Sequence, residues 1–258
     1  SRLELVLQVV SVSSPVLSFL VLQFASLRIT LVLDALSFFL AFGLVALLPK
    51  KEEKTMGEKK LTFRVIFSDI KEGVHYIVKQ KEIFFLLVMA SSVNFFFAAF
   101  NYLLPFSNQL YGVQGAYATI LTMGAIGSIV GALLASKIKA SMEMLLFLLA
   151  LTGLGVMIMG FPLPSYLAFS GNFVCELFMT MFNIHFFTQV QTKVEGEYLG
   201  RVLSSIYTLA ILFMPIATGL MTWLPSVHLY SFLIIGFGVV VLSFLALGYV
   251  RTRFEKET

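Results

Sequence analysis

The sequence is poor in cysteine and in charged residues. Cys175, within an apolar run, is the one cysteine among 258 residues. A single cysteine excludes a disulfide framework within the chain, and the repeated Cys/His spacing of a structural zinc site is absent. Charged residues make up 12% of the chain, whereas a soluble domain carries about a quarter. Lipid is therefore the expected solvent for most side chains.

The sequence also lacks the short motifs that carry much enzyme chemistry. It contains no Gly-x-x-x-x-Gly-Lys phosphate loop, no Gly-x-Ser-x-Gly elbow, and no histidines or carboxylates at metal-ligand spacing. An ATP-driven pump, an intramembrane hydrolase and a metalloenzyme are therefore disfavoured. We predict a protein that is not an enzyme and that needs no cofactor or metal.

A pI of 9.1 could suggest nucleic acid as a partner. The basic residues, however, lie in the connections between apolar stretches, where the signals that orient membrane proteins collect. The basic balance is therefore interpreted as topology, and no nucleic acid is expected.

Long apolar runs dominate the sequence. Hydrophobic residues make up 59% of the chain and the mean hydropathy is +0.93. A helix that crosses about 30 Å of hydrocarbon needs about 20 mostly apolar residues. The stretches that qualify lie near residues 4–24, 28–48, 83–104, 116–136, 143–161, 164–188, 199–222 and 229–250. They lack the alternating pattern of barrel strands, so we predict an all-α membrane protein with about eight transmembrane helices.

The distribution of lysine and arginine predicts the orientation of these spans. The segment 50–81 holds nine of the 18 basic residues, and an even number of spans places both termini on its side. Arg28 is then the one basic residue on the opposite side. The positive-inside rule therefore predicts a multi-pass plasma-membrane protein with cytoplasmic termini. Interfacial aromatic residues mark the predicted outer edge: Tyr102, Tyr111, Tyr117, Tyr166, Trp223 and Tyr230.

The longest connection, 49–82, begins with charged residues and then becomes amphipathic. Apolar residues recur at helical spacing while charged residues occupy the other face. The apolar set is Phe63, Ile66, Phe67, Ile70, Val74, Ile77 and Val78. We expect a helix that lies in the cytoplasmic interface. A binding site for a regulatory partner is the alternative.

Glu176 is the candidate for chemistry within the bilayer. It lies mid-span, where a carboxylate is costly unless it faces protein or a water-filled cavity. Asn172, Glu176, Thr180 and Asn183 share one helical face, because they are spaced i, i+4, i+8 and i+11. Glu176 could exchange a proton or pair with a cationic substrate. The alternative is a hydrogen bond to a neighbouring helix.

The predicted spans contain further polar and small residues. Asp34 lies near the start of its span, which favours capping or a pairing with Arg28. Asn94 and Asn101 form a polar stripe in the third span, as substrate contacts or as interhelical hydrogen-bonding groups. Gly127 and Gly131, four residues apart, favour close helix packing.

Several stretches resemble drug and siderophore exporters of the major facilitator superfamily, the group of macrolide-efflux and enterobactin-exporter proteins. Leu33-Asp34-Ala35-Leu36-Ser37-Phe38-Phe39-Leu40 is similar to their sixth-helix signature, and Phe67-Ser68-Asp69-Ile70-Lys71-Glu72-Gly73-Val74 to their central-loop helix. Tyr198-Leu199-Gly200-Arg201-Val202-Leu203-Ser204 resembles the start of their eleventh helix, which carries Gly200 and Arg201 over as motif positions.

The resemblance implies a major-facilitator-type helical bundle that spans the C-terminal two-thirds of the family's fold. The eight spans would be family helices five to twelve, and the chain, which begins with Ser1, would be internal to a longer protein. Residues 1–48 would be the last two helices of the N-terminal bundle, 49–82 the central loop, and 83–258 the C-terminal six-helix bundle. The four preceding helices become a candidate partner.

The resemblance also implies a function. We expect an ion-coupled secondary transporter, an antiporter that exports small drug-like or siderophore-like molecules and contacts the lipid bilayer. The fifth-helix antiporter motif keeps Pro15 but lacks its glycines, and the basic turn after helix eight is reduced to Ser136-Lys137-Ile138-Lys139. Both departures weaken the expectation of proton-coupled antiport. The alternative is a truncated or scaffold membrane protein without transport activity of its own.

Overall fold

The computed structural model describes residues 27–46, 63–139, 141–224 and 226–254, and every regular element among them is a helix. The helices are α1 (Leu27–Ala46), α2 (Phe63–Lys79), α3 (Lys81–Leu103), α4 (Ser107–Tyr111), α5 (Ala116–Ala135), α6 (Met142–Gly160), α7 (Ser165–Lys193), α8 (Gly196–Ile211), α9 (Met214–Thr222) and α10 (Tyr230–Phe254). A 3-10 turn, Leu104–Phe106, joins α3 to α4. The predicted all-α class is confirmed.

Six helical stretches are long and apolar enough to cross a bilayer: Lys81–Tyr111, Ala116–Ala135, Met142–Gly160, Ser165–Lys193, Tyr198–Thr222 and Tyr230–Thr252. They correspond to the last six predicted spans, and together they make the chain a multi-pass membrane protein. The predicted span 28–48 coincides with α1, whose apolar part Leu31–Leu44 is shorter. The predicted span 4–24 and Pro15 lie outside the described residues.

Local sequence explains where several helices begin and end. The hydroxyl of Ser141 accepts a hydrogen bond from the backbone N–H of Met144 at 3.1 Å, which caps the start of α6. Gly112 and Gly115 have φ values of +64° and +83°, so the short turn between α4 and α5 uses the left-handed conformation that glycine tolerates best. Pro164 directly precedes α7.

The predicted span 199–222 is divided in two. α8 ends at Ile211 and α9 begins at Met214, with a turn at Leu212 and Phe213. Pro215 lies in the first turn of α9, where its missing N–H costs nothing within that helix. The proline therefore breaks the span in the apolar region.

Glycines allow the bundle helices to pack closely. A Cβ added at Gly153 of α6 would lie 2.8 Å from the backbone oxygen of Gly236 in α10. A Cβ at Gly171 of α7 would lie 2.8 Å from the Cγ of Met159 in α6. The main contacts therefore run from α5 to α7, on to α6, then to α10, and from there to α3, which also contacts α8 and α9.

α1 and α2 differ in how they relate to this bundle. Every α1 side chain whose exposure is described is exposed, Phe42 by 74%. α2 instead packs on α8 and buries Ile77 completely. The amphipathic helix predicted to lie in the interface is thus also docked on the bundle through one face.

Candidate functional site

The candidate site lies where α7 crosses α5, because small residues let the two backbones approach. A Cβ added at Gly127 would overlap the backbone oxygen of Phe173, and one at Gly131 would overlap that of Leu177. A Cβ at Gly124 would lie 3.0 Å from the Cγ of Glu176. The glycine face of α5 therefore leaves room for the polar face of α7.

Asn172 lies deepest in this contact, with 2% of its surface exposed. Its side-chain amide donates to the backbone oxygen of Ile120 at 2.8 Å, a bond between α7 and α5. Its side-chain oxygen has no hydrogen-bond partner among the described residues. A buried acceptor of this kind carries a desolvation cost unless a donor reaches it.

One helical turn further along, Glu176 is half-buried at the twelfth of the 29 residues of α7. Its carboxylate accepts a hydrogen bond from the hydroxyl of Ser128 at 3.4 Å. Because O–H···O bonds usually measure about 2.5–3.0 Å, this contact is long. The carboxylate therefore keeps most of its capacity to accept a proton or another donor.

The exposure of the polar face of α7 increases towards its C-terminal end. Thr180 is half-buried and Asn183 is exposed. His185, half a turn away from that face, is buried, and its Nε2 has no partner among the described residues. The four residues predicted from spacing thus form one track that leads from the buried Asn172 to the surface of the bundle.

The two predicted asparagines of α3 have different surroundings. Asn94 is half-buried, and its amide donates to the backbone oxygen of Ala210 at 3.0 Å. Asn101 is exposed. Asn94 therefore makes the interhelical hydrogen bond that was one of its two interpretations, while the structure brings neither asparagine into a hydrogen bond with the polar face of α7.

Asp34 lies on the exposed surface of α1, and its backbone oxygen accepts a hydrogen bond from the Ser37 hydroxyl at 2.7 Å. The pairing with Arg28 offered as an interpretation is not formed within the described part of α1. Gly200 is exposed at the start of α8, and no atom would contact a Cβ added there.

Arg201 links α8 to α2. Its guanidinium donates to the carboxylate of Glu72 at 2.8 Å. The rings of Tyr76 and Tyr198 stack beside this pair, with centroids 5.0 Å apart. Lys193, at the end of α7, pairs with Glu82 at the start of α3. The motif position Arg201 therefore contacts the amphipathic helix α2 from the bundle.

Sequence reasoning missed Ser128, the hydrogen-bond partner of Glu176. Ser128 follows Gly124 by four residues and so shares its helical face. That spacing could have indicated it once α5 and α7 were known to be neighbours. Neighbour relations, however, are not encoded in the spacing of one helix.

Comparison with known families identifies a match. The family model described as Major Facilitator Superfamily matches residues 1–210. Searches among curated proteins and among solved structures find no match.

Proposed function

Because this chain belongs to the Major Facilitator Superfamily, we propose that it is a secondary active transporter that exports small amphipathic molecules and uses Glu176 in an ion-coupled step. Family membership and six apolar helices make it a membrane transporter that contacts lipid and a small-molecule substrate. Export, a drug-like or siderophore-like substrate and ion coupling are the proposal. Such transporters rock two helical bundles about a site near the membrane midplane.

The observation that carries the proposal is the weakly held carboxylate of Glu176. An acidic residue inside a span is expensive and is therefore a functional candidate by default. Ser128, at 3.4 Å, provides the one hydrogen bond to this carboxylate within the described residues. A carboxylate with a single long contact can take up a proton or a cationic group and release it again.

Asn172 extends the site by one turn. Its unpartnered oxygen is an acceptor on the same face of α7 as Glu176. A donor group of a substrate would satisfy this oxygen and recover the free energy that its burial costs. Thr180 and Asn183 continue the face towards the exposed end, so they are proposed as the polar path by which substrate or protons reach Glu176.

The distribution of basic residues supports one orientation of the chain in the membrane. The basic residues divide seventeen to one between the two sides of the predicted topology, with the side of residues 50–81 enriched. This bias supports a plasma-membrane protein whose termini and α2 face the cytoplasm. Efflux would then move substrate from that basic side to the aromatic-rich side.

The test is export in proteoliposomes with ethidium, a lipophilic aromatic cation, as the probe. Purified full chain is reconstituted, a pH gradient is imposed, and ethidium flux is followed over a series of external pH values. Glu176→Gln is compared with the original chain and with Glu143→Gln. Glu143 is the matched control, because it is an acid in the first turn of α6 that pairs with Arg251 at 3.5 Å.

We expect gradient-driven ethidium flux that depends on pH in the original chain and in Glu143→Gln. In Glu176→Gln we expect the flux to lose its dependence on pH. Unchanged pH dependence in Glu176→Gln would reject the ion-coupled role of this carboxylate. An equal loss in both variants would point to a general effect of charge and also count against the proposal.

The exposed α1 favours a second candidate, a membrane subunit that transports only together with further helices. All its described side chains are exposed, including Phe38 and Phe39 at 69% and 74%. Under this proposal, additional helices cover α1, either in a longer product or in a partner. An antibody against residues 251–258 would detect a larger product or a crosslinked complex in native membranes, and the 258-residue chain alone would show no flux.

A further inference from the structure

We propose that a cavity beside α2 binds the headgroup of an anionic phospholipid. The cavity has a volume of about 800 Å³, within the range of ligand sites. It lies away from the α5–α7 contact, and its proposed role does not depend on transport. The residues that carry the argument are Lys71, Val74, His75, Val78, Lys79 and Tyr198.

The cavity is positively charged. Lys71, His75 and Lys79 follow each other at four-residue intervals and therefore share one side of α2. All three are exposed, and they form no ion pair within the described residues. Glu72 also lines the cavity, but Arg201 pairs with its carboxylate. Two lysines and a histidine thus remain for an anion.

The cavity also has an apolar wall, which distinguishes a lipid from a free anion. Val78 is 52% exposed beside the two lysines, and Val74 is half-buried. The stacked rings of Tyr76 and Tyr198 add aromatic surface, which is typical of the headgroup region of membranes. An inorganic phosphate would use only the charges, whereas a phospholipid uses both the charges and the apolar wall.

The face of α2 opposite the lysines is fixed to the bundle. A Cβ added at Gly73 would lie 2.9 Å from the backbone carbon of Arg201, and Ile77 is fully buried. The lysine side therefore faces away from the bundle. In the proposed orientation it meets the cytoplasmic leaflet, which carries the anionic lipids that basic juxtamembrane segments attract.

The test measures lipid binding to the full chain in detergent by native mass spectrometry. Phosphatidylglycerol and phosphatidylcholine with identical acyl chains are titrated, with inorganic phosphate as a competitor. The test variant is Lys71→Gln/Lys79→Gln, and Lys71→Arg/Lys79→Arg retains both charges. Lys137→Gln/Lys139→Gln is the control, since it removes two exposed lysines elsewhere on the proposed cytoplasmic side.

We expect phosphatidylglycerol to bind more tightly than phosphatidylcholine. The affinity for phosphatidylglycerol should fall about 30-fold in the glutamine variant, as about 1 kcal/mol for each lysine near an anionic surface implies. It should be retained in the arginine variant and in the control. Equal binding of the two lipids, an equal fall in the control, or a failure of the arginine variant to bind would overturn the proposal. Displacement of phosphatidylglycerol by inorganic phosphate would show an anion site without lipid specificity and would also overturn it.

Discussion

The side-chain amide of Asn94 in α3 donates to the backbone oxygen of Ala210 in α8 across 3.0 Å, although 116 residues separate them in sequence. The hydroxyl of Ser91 donates to the neighbouring oxygen of Leu209 at 3.3 Å. Both acceptors lie in the last turn of α8, beside the break before Pro215. The oxygen of Leu209 also accepts from the backbone N–H of Leu212 at 3.3 Å. α3 thus supplies donors beside this break in an apolar region.

Removal of the side-chain amide of Asn94 should destabilise the fold at the contact between α3 and the end of α8. Asn94→Ala should lower the free energy of unfolding by about 0.6–1.7 kcal/mol, from the average to the largest value found in double-mutant cycles of hydrogen bonds between membrane helices. Thermal unfolding in detergent, followed by circular dichroism, measures the change. Asn101→Ala is the control, because Asn101 is exposed on the same helix. Equal melting temperatures for the two variants would contradict the prediction.

The substitution Gly127→Ala should destabilise the protein. The Cβ of Gly127→Ala would overlap the backbone oxygen of Phe173, which cannot rotate away, so α5 and α7 must separate. We expect a loss of about 1–3 kcal/mol in stability, typical of overpacking, together with weaker transport. Gly248→Ala is the control, since no atom would contact its Cβ. It should be neutral or slightly stabilising, because alanine is the better helix former.

The docking of α2 on α8 should depend more on the close backbone contact at Gly73 than on the ion pair between Glu72 and Arg201. Glu72→Gln removes a pair whose side chains are 53% and 34% exposed, and exposed pairs contribute less than about 1 kcal/mol. Gly73→Leu would place a side chain against the backbone of Arg201 and should displace α2. Hydrogen exchange of the α2 amides should rise strongly in Gly73→Leu and little in Glu72→Gln. The reverse order would show that the ion pair holds the helix.

Thiol labelling should distinguish the two ends of the polar track on α7. Cys175 is completely buried against the backbone of Gly155 in α6, so maleimide should label it only after denaturation. In a Cys175→Ser background, Asn183→Cys should react with a charged, water-soluble thiol reagent if the track opens to water as proposed. Leu245→Cys is the control, because Leu245 is 70% exposed on an apolar stretch of α10. Labelling of Leu245→Cys alone would place Asn183 outside a water-filled path.

Much of the helical architecture could be predicted from the sequence, because a bilayer requires long apolar helices whatever their neighbours are. The last six predicted spans recur as candidate spans, and most of their bounds shift by only one or two residues. The exceptions are the C-terminal ends of Lys81–Tyr111 and Ser165–Lys193, which extend further than predicted. The sequence contains Pro215, whose place in the predicted span accounts for the break between α8 and α9. Interhelical hydrogen bonding was one interpretation of Asn94, but its acceptor at this break could not be predicted, because no local pattern identifies a partner on another helix.

The same division applies to the candidate site. The sequence by itself determined that the chain is an all-helical membrane protein, which residues share a face with Glu176, and that α2 is amphipathic, since helical periodicity and burial in lipid follow from residue order. Only the tertiary structure decided that Ser128 meets Glu176, that Asn172 leaves an oxygen unpartnered, and that α2 docks on Arg201 through Gly73. The Ser128–Glu176 contact and the contact of Gly73 with Arg201 join residues at least 48 positions apart, and each lies where a glycine lets two backbones approach.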